Sequence, residues 1–141
     1  MKKIILIGRS EAGKTTLKQV LRGEAVEYAK TQSINYYDVV VDTPGEYVQT
    51  RHLGGALAVY SYESDVVGLL ASATEPFSLF GPCIAATATR PVIGIVTKCD
   101  EPGAHVEMAY GWLHEAGCNP IFCVDSITRR GIKDILDYLN R

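Results

Sequence analysis

No stretch of this sequence comes near the roughly twenty consecutive apolar residues that a helix needs to cross a bilayer. Its apolar runs stop at four to seven residues, so a membrane-embedded protein is not expected. The opening MKKIILIG has the basic start of a secretory leader, but the apolar run ends at Gly8 and polar Arg9, Ser10 and Glu11 follow. It reads as a strand. No lipidation motif stands at Asn140 and Arg141. Cysteine is sparse: Cys83, Cys99, Cys118 and Cys123 show no CxxC spacing and no neighbouring histidine cluster, which disfavours zinc and fits reduced thiols in a cytosolic compartment. His52, His105 and His114 are scattered in the same way. A surplus of one charge is also missing. The formal net charge of -2 gives no global attraction to nucleic acid or anionic lipid, and no basic patch stands out. Repeats, low-complexity tracts and linkers are absent too. What remains is 141 residues, 47% hydrophobic and 21% charged, as expected for one domain over 1–141.

The short apolar runs alternate with longer segments of helical period, the pattern of a mostly parallel sheet covered on both faces. Strands are predicted at 3–7, 38–41, 65–70, 92–96 and 121–124, rich in Val and Ile with little alternation. Helices are predicted at 13–22, 49–62, 106–116 and 132–139. In the last, Ile132, Ile135, Leu136 and Leu139 recur at i, i+3, i+4 and i+7 and form one apolar stripe. A short helix over 81–88 is also expected, in a segment punctuated by Pro76 and Pro82.

Directly after the first strand, Gly8-Arg9-Ser10-Glu11-Ala12-Gly13-Lys14-Thr15 fits GxxxxGK[ST] and opens the first helix. The chemistry follows from charge. A triphosphate is a polyanion, and this loop answers it with backbone N–H groups, the positive end of a helix and the Lys14 ammonium. Gly8 and Gly13 let the main chain turn tightly and approach phosphate oxygens. Lys14 is placed to reach the β and γ phosphates and to neutralise charge during transfer, and the Thr15 hydroxyl to sit on Mg2+. Thr16 either flanks the nucleotide or is simply the next helix residue.

A second motif, Asp42-Thr43-Pro44-Gly45, closes the second apolar run. Asp42 at a strand tip can hold Mg2+ through water, and Gly45 can offer its N–H to a γ phosphate. Glu46 follows, either as a base toward water or a substrate or as a surface carboxylate; near a γ phosphate its charge would slow turnover. Thr31 is the best-placed threonine to close on the metal, although it reads equally well as a loop residue. The third motif, Thr97-Lys98-Cys99-Asp100, follows the fourth strand and fits [NT]KxD. A carboxylate there accepts the N1–H and N2 amino donors of guanine, a pair that adenine lacks, so Asp100 favours GTP with ATP as the alternative. Lys98 would lay its stem along the base. After the last strand, Asp125, Ser126 and Ile127 occupy the loop that would touch the base, with Ser126 as the binding candidate. Arg51, Arg129 and Arg130 read as surface residues or as arginine fingers.

GRSEAGKT, DTPGEY and TKCD stand in the order and setting of Ras-like, Era-like G domains. MKKIILIG, RGEAVEYAKTQSI, VDTPGEY and RPVIGIVTKCD together resemble the EutP/PduV family of ethanolamine and propanediol utilisation over nearly the whole chain. The resemblance implies a three-layer α/β/α P-loop fold with about five strands. The close spacing of Thr31 and Asp42 predicts that the hairpin before the second motif is truncated. It also implies a cytoplasmic protein associated with a bacterial microcompartment, either GTPase-like or acetate-kinase-like.

Two classes of function follow. One is a Mg2+-dependent hydrolase, or a transferase passing the γ phosphate to acetate or another small acid. The other is a nucleotide-gated module that docks on shell proteins or enzymes with little turnover. With the first strand starting at residue 3, no N-terminal targeting helix is expected. Neither nucleic acid nor membrane is expected as a partner.

Overall fold

Val- and Ile-rich runs too short for stable helices pair instead as the strands of one sheet. In the computed structural model, which describes residues 2–8, 14–31, 40–41, 64–74 and 83–140, these are β1 (Ile4–Ile7), β2 (Val40–Val41), β3 (Val66–Ser72), β4 (Val92–Thr97) and β5 (Ile121–Cys123). They form one five-stranded sheet in the order β2-β1-β3-β4-β5. Every pairing is parallel, with Ile4 opposite both Val40 and Val66, Val67 opposite Val92, and Gly94 opposite Ile121. Parallel neighbours require crossovers, and three helices are described: α1 (Lys14–Thr31), α2 (Val106–Ala116) and α3 (Ile132–Leu139). A 3-10 turn, Ile84–Thr87, replaces the helix expected over 81–88. The helix predicted over 49–62 lies outside the described residues, as do 38 and 39 of the predicted second strand.

Alternate residues of β1, β3, β4 and β5 feed two cores. Ile5, Ile7, Val67 and Leu69 pack with Ala109 and Leu113 of α2. Ile4, Leu6, Val66 and Leu70 pack on the other face with Leu17 and Leu21 of α1 and with Ile132, Ile135, Leu136 and Leu139 of α3. The result is three layers, helix on sheet on helix, as the sequence pattern predicts.

The first helix corrects the prediction by running nine residues beyond 22, to Thr31. Gly23 is exposed, and a glycine inside a helix costs about 1 kcal/mol relative to alanine. The buried series Leu17, Leu21, Ala25 and Ala29 nevertheless carries the apolar stripe straight through it at fourfold spacing. Packing outweighs the local penalty.

Candidate nucleotide site at the carboxyl edge of the sheet

In an open parallel sheet the crevice for ligands forms beyond the strand carboxyl ends, where the order of connection reverses. Here that point lies between β1 and β3, because β2 is added on one side of β1 and β3 to β5 on the other. Gly8 leaves β1 at this position. A Cβ on Gly8 would come within 2.8 Å of the Leu70 Cβ, so glycine is required by the close approach of β3 as well as by the turn. Lys14 then opens α1 and is 8% exposed, an unusual depth for an ammonium. Thr15 and Thr16, in the same first turn, are exposed. No acidic residue stands in that turn to oppose an anion.

The carboxyl ends of β3 and β4 sit side by side, with Ser72 opposite Thr97 and both buried. Ser72 and Thr74 share a hydroxyl contact of 2.8 Å, and the Thr74 N–H donates to the Ser72 hydroxyl at 3.2 Å. Neither residue belongs to a recognisable motif, and only the strand register reveals that Ser72 stands beside Thr97 at the strand ends. Beyond Thr97, Lys98 adopts a left-handed backbone with φ of 60°, a conformation that disfavours a side chain and is concentrated at functional turns.

The loop after β5 is organised by one buried carboxylate. Asp125 is 3% exposed. Its Oδ1 accepts the N–H groups of Ile127 at 2.9 Å and Thr128 at 3.2 Å, and its Oδ2 accepts the Asp100 N–H at 3.1 Å. Asp125 thus folds its own loop and ties it to the loop after β4, a local use of Asp that the sequence DSIT permits but does not announce. The loop closes where the Asp125 N–H donates to the Arg130 carbonyl at 3.1 Å. Arg129, with φ of 63°, reaches α1 and donates to Glu24 at 2.6 Å.

Between these loops and α1 lies a cavity of about 140 Å³, lined by Thr16, by Thr97, Lys98 and Glu101 after β4, and by Asp125, Ser126 and Ile127 after β5. That is below the ~300 Å³ of pockets that engulf a whole drug-sized ligand, and it suits a single ring system. Ile127, 81% exposed, supplies an apolar surface at its mouth. Asp100 does not contribute to the wall. Its Oδ1 accepts from Arg130 Nη1 at 2.7 Å and its Oδ2 from the Thr128 hydroxyl at 2.7 Å. The Thr128 hydrogen bond, and after it the Arg130 guanidinium, hold this carboxyl below its usual range.

Of the residues predicted to form the site, Gly8, Lys14, Thr15, Thr16, Thr97, Lys98, Asp100 and Ser126 all stand at this edge. Arg9, Ser10, Glu11, Ala12, Gly13, Asp42, Gly45 and Glu46 lie outside the described residues. Thr31 requires a correction. It ends α1, its hydroxyl donating to the Glu27 carbonyl at 2.9 Å. At about 1.5 Å per residue this places it roughly 24 Å along the helix from Thr15, so the two do not share a cation in this structure. The persistence of α1 through Gly23 is the reason. Among the described residues no cluster of three metal-binding side chains occurs, and no helix is long and apolar enough to cross a membrane.

Known proteins supply an independent comparison. The PduV-EutP family model, described as ethanolamine utilisation - propanediol utilisation, matches residues 1–141. The propanediol utilization protein PduV of Citrobacter freundii is 40% identical over 99% of this chain and 94% of its own length. The probable acetate kinase EutP of Escherichia coli K12 is 31% identical over 99% of this chain and 89% of its own. Among solved structures, translation elongation factor SelB of Methanococcus maripaludis superposes with a TM-score of 0.61 at 18% identity. The match takes in 99% of this chain and 34% of SelB, so this chain spans about a third of the elongation factor. The same factor in complex with the GTP analogue GppNHp matches equally well, at 17% identity and a TM-score of 0.61. At such identity the likeness establishes the G-domain fold alone.

Proposed function

The chain belongs to the PduV-EutP family of propanediol and ethanolamine utilisation proteins, and on that premise we propose that it binds a nucleoside triphosphate, GTP or ATP, with Mg2+ and transfers the γ phosphate to a small carboxylic acid such as acetate or to water. The observation that carries this reading is Lys14. It is a buried ammonium at the head of α1, immediately beyond β1 and at the topological switch point. An ammonium at a helix N-terminus adds its charge to the positive end of the helix, and together they favour a polyanion held there.

In the proposed arrangement the base enters the cavity between Lys98, Ser126 and Ile127, and the phosphates run back along the loop 8–15 toward Lys14. The donor chemistry of the helix start fits a hard dication. The Thr15 hydroxyl is exposed there, and Asp42 is the carboxylate that would complete the set through water. Bound Mg2+ would supply charge neutralisation on the β and γ oxygens. Lys14 does the same from the protein side, and the N-terminal amides of α1 orient the chain of phosphates. An acceptor oxygen then forms a bond to the γ phosphorus as the bond to the β–γ bridging oxygen breaks, and that oxygen leaves on the diphosphate. With acetate the product is acetyl phosphate. Glu46, following Gly45, is the residue we assign to orienting the acceptor. Support for an acid acceptor comes from the EutP relative, whose name is probable acetate kinase.

The same family membership supports a cytoplasmic location beside a bacterial microcompartment, with docking on shell proteins through the folded surface. The experiment is direct: purified protein, Mg2+, GTP or ATP and acetate, with acetyl phosphate trapped by hydroxylamine. The proposal predicts product in the parent and none in Lys14→Ala. Nucleotide bound without turnover toward acetate or water would reject the transferase reading and leave a gated docking module.

A further inference from the structure

The carboxylate expected to read the base is turned toward other partners. Guanine recognition by Asp100 needs the open acceptor site of each oxygen to face the cavity, in the plane of the ring. In the structure both oxygens point their short hydrogen bonds elsewhere: Oδ1 to Arg130 and Oδ2 to Thr128, each at 2.7 Å, and Asp100 is missing from the cavity wall that its neighbour Glu101 helps to form. The guanidinium contact is also an ion pair. Together the two contacts fix the direction in which the carboxylate faces, and a base must turn it to be read.

The loop that delivers Arg130 and Thr128 is built to keep them there. Asp125 folds it through the Ile127 and Thr128 amides, the Asp125–Arg130 backbone bridge closes it, and Arg129 anchors it to Glu24 on α1. The Asp100 amide is held by the same Asp125. The carboxylate of Asp100 is therefore held by two side chains of a loop that is itself tied to α1 and to the loop after β4.

Resting on the triphosphate reading above, we infer that Arg130, assisted by Thr128, is a specificity-determining latch that holds Asp100 out of the base pocket and leaves this chain with little preference between guanine and adenine. Arg130 and Thr128 act through Asp100 and need not touch the nucleotide. The readout is the ratio of affinities, which a merely structural role would not move.

The test is calorimetric titration of full-length protein with GTP and with ATP, each with Mg2+. The parent is expected to bind the two within about threefold of each other. Arg130→Met, which keeps the aliphatic stem and removes the donors, is expected to raise the preference for GTP by about tenfold or more while ATP affinity holds. Thr128→Val should move the ratio the same way by a smaller factor. Adding Asp100→Asn to Arg130→Met should return the ratio to that of the parent. Because Arg130 is 60% exposed, its replacement leaves the core intact. A parent that already prefers GTP tenfold, or an Arg130→Met protein whose ratio is unchanged or lowered, overturns the latch while leaving the triphosphate site standing. Failure of both nucleotides to bind the parent would reject the site itself.

Discussion

Asp100 and Asp125 show how one residue type takes opposite roles within a few ångströms. Asp125 is buried and saturated by backbone amides, so it serves as scaffold. Asp100 is exposed and held by side chains. Its carboxyl is depressed from the usual 3.8, first by the Thr128 hydrogen bond and then by Arg130. A depressed carboxyl contributes stability that is present above its unfolded value and is lost as pH falls through its folded value. The stability gap between the parent and Thr128→Val should therefore be constant from neutral pH to about pH 5 and shrink below about pH 4. Urea denaturation of both proteins across that range measures it, and a gap independent of pH would refute the assigned role of Thr128. The TKCD string identified the location of this group. It could not identify its partners, because Thr128 and Arg130 come into reach only when Asp125 folds a loop 25 residues away.

At the level of helices and strands, legibility tracked the clarity of the apolar pattern. The helices α2 and α3 occupy the predicted 106–116 and 132–139, because each carries a continuous buried stripe and a glycine punctuates its end. Gly131 precedes α3 with φ of 79°, and a Cβ there would collide with the Cys123 carbonyl oxygen. The strands match within a residue or two, as expected where a parallel sheet buries both faces. Among the described helices α1 alone outruns its predicted end, past the glycine whose penalty Ala25 and Ala29 overcome by packing. The same extension carries Thr31 to the far end of α1 from Thr15, so the helix boundary and the expectation that Thr31 closes on a cation fail together. If α3 is held by its stripe, Ile135→Ala, at a fully buried position, should destabilise the protein by about 2–5 kcal/mol. Chemical denaturation with coincident fluorescence and circular dichroism would measure this, and a loss below about 1 kcal/mol would contradict the packing described.

Over the molecule as a whole, the two cores on either face of the sheet determine which groups solvent can reach. The thiols report this directly. Cys83 is exposed, whereas Cys99 and Cys118 are buried and their thiols are pushed up to about 12, chiefly by desolvation. At pH 8 an alkylating reagent should modify exposed Cys83 promptly and Cys118 only as fast as the protein opens globally. Mass spectrometry after timed labelling distinguishes the sites, and prompt modification of Cys118 would show that the α2 face of the core is not closed. Bound nucleotide should slow the labelling of Cys118 further, since a ligand of the native state lowers the open population.

That linkage rests on the polyanion site proposed at the carboxyl edge, where buried Lys14 opens α1 near a cavity of about 140 Å³. The most direct test is calorimetric titration of the parent and of Lys14→Ala with GTP and ATP in the presence of Mg2+. Saturable binding of at least one triphosphate to the parent, tighter than about 1 mM, with at least a tenfold loss in Lys14→Ala, is the predicted result. Equal affinities in the two proteins, or no heat from either nucleotide with the parent, would contradict it.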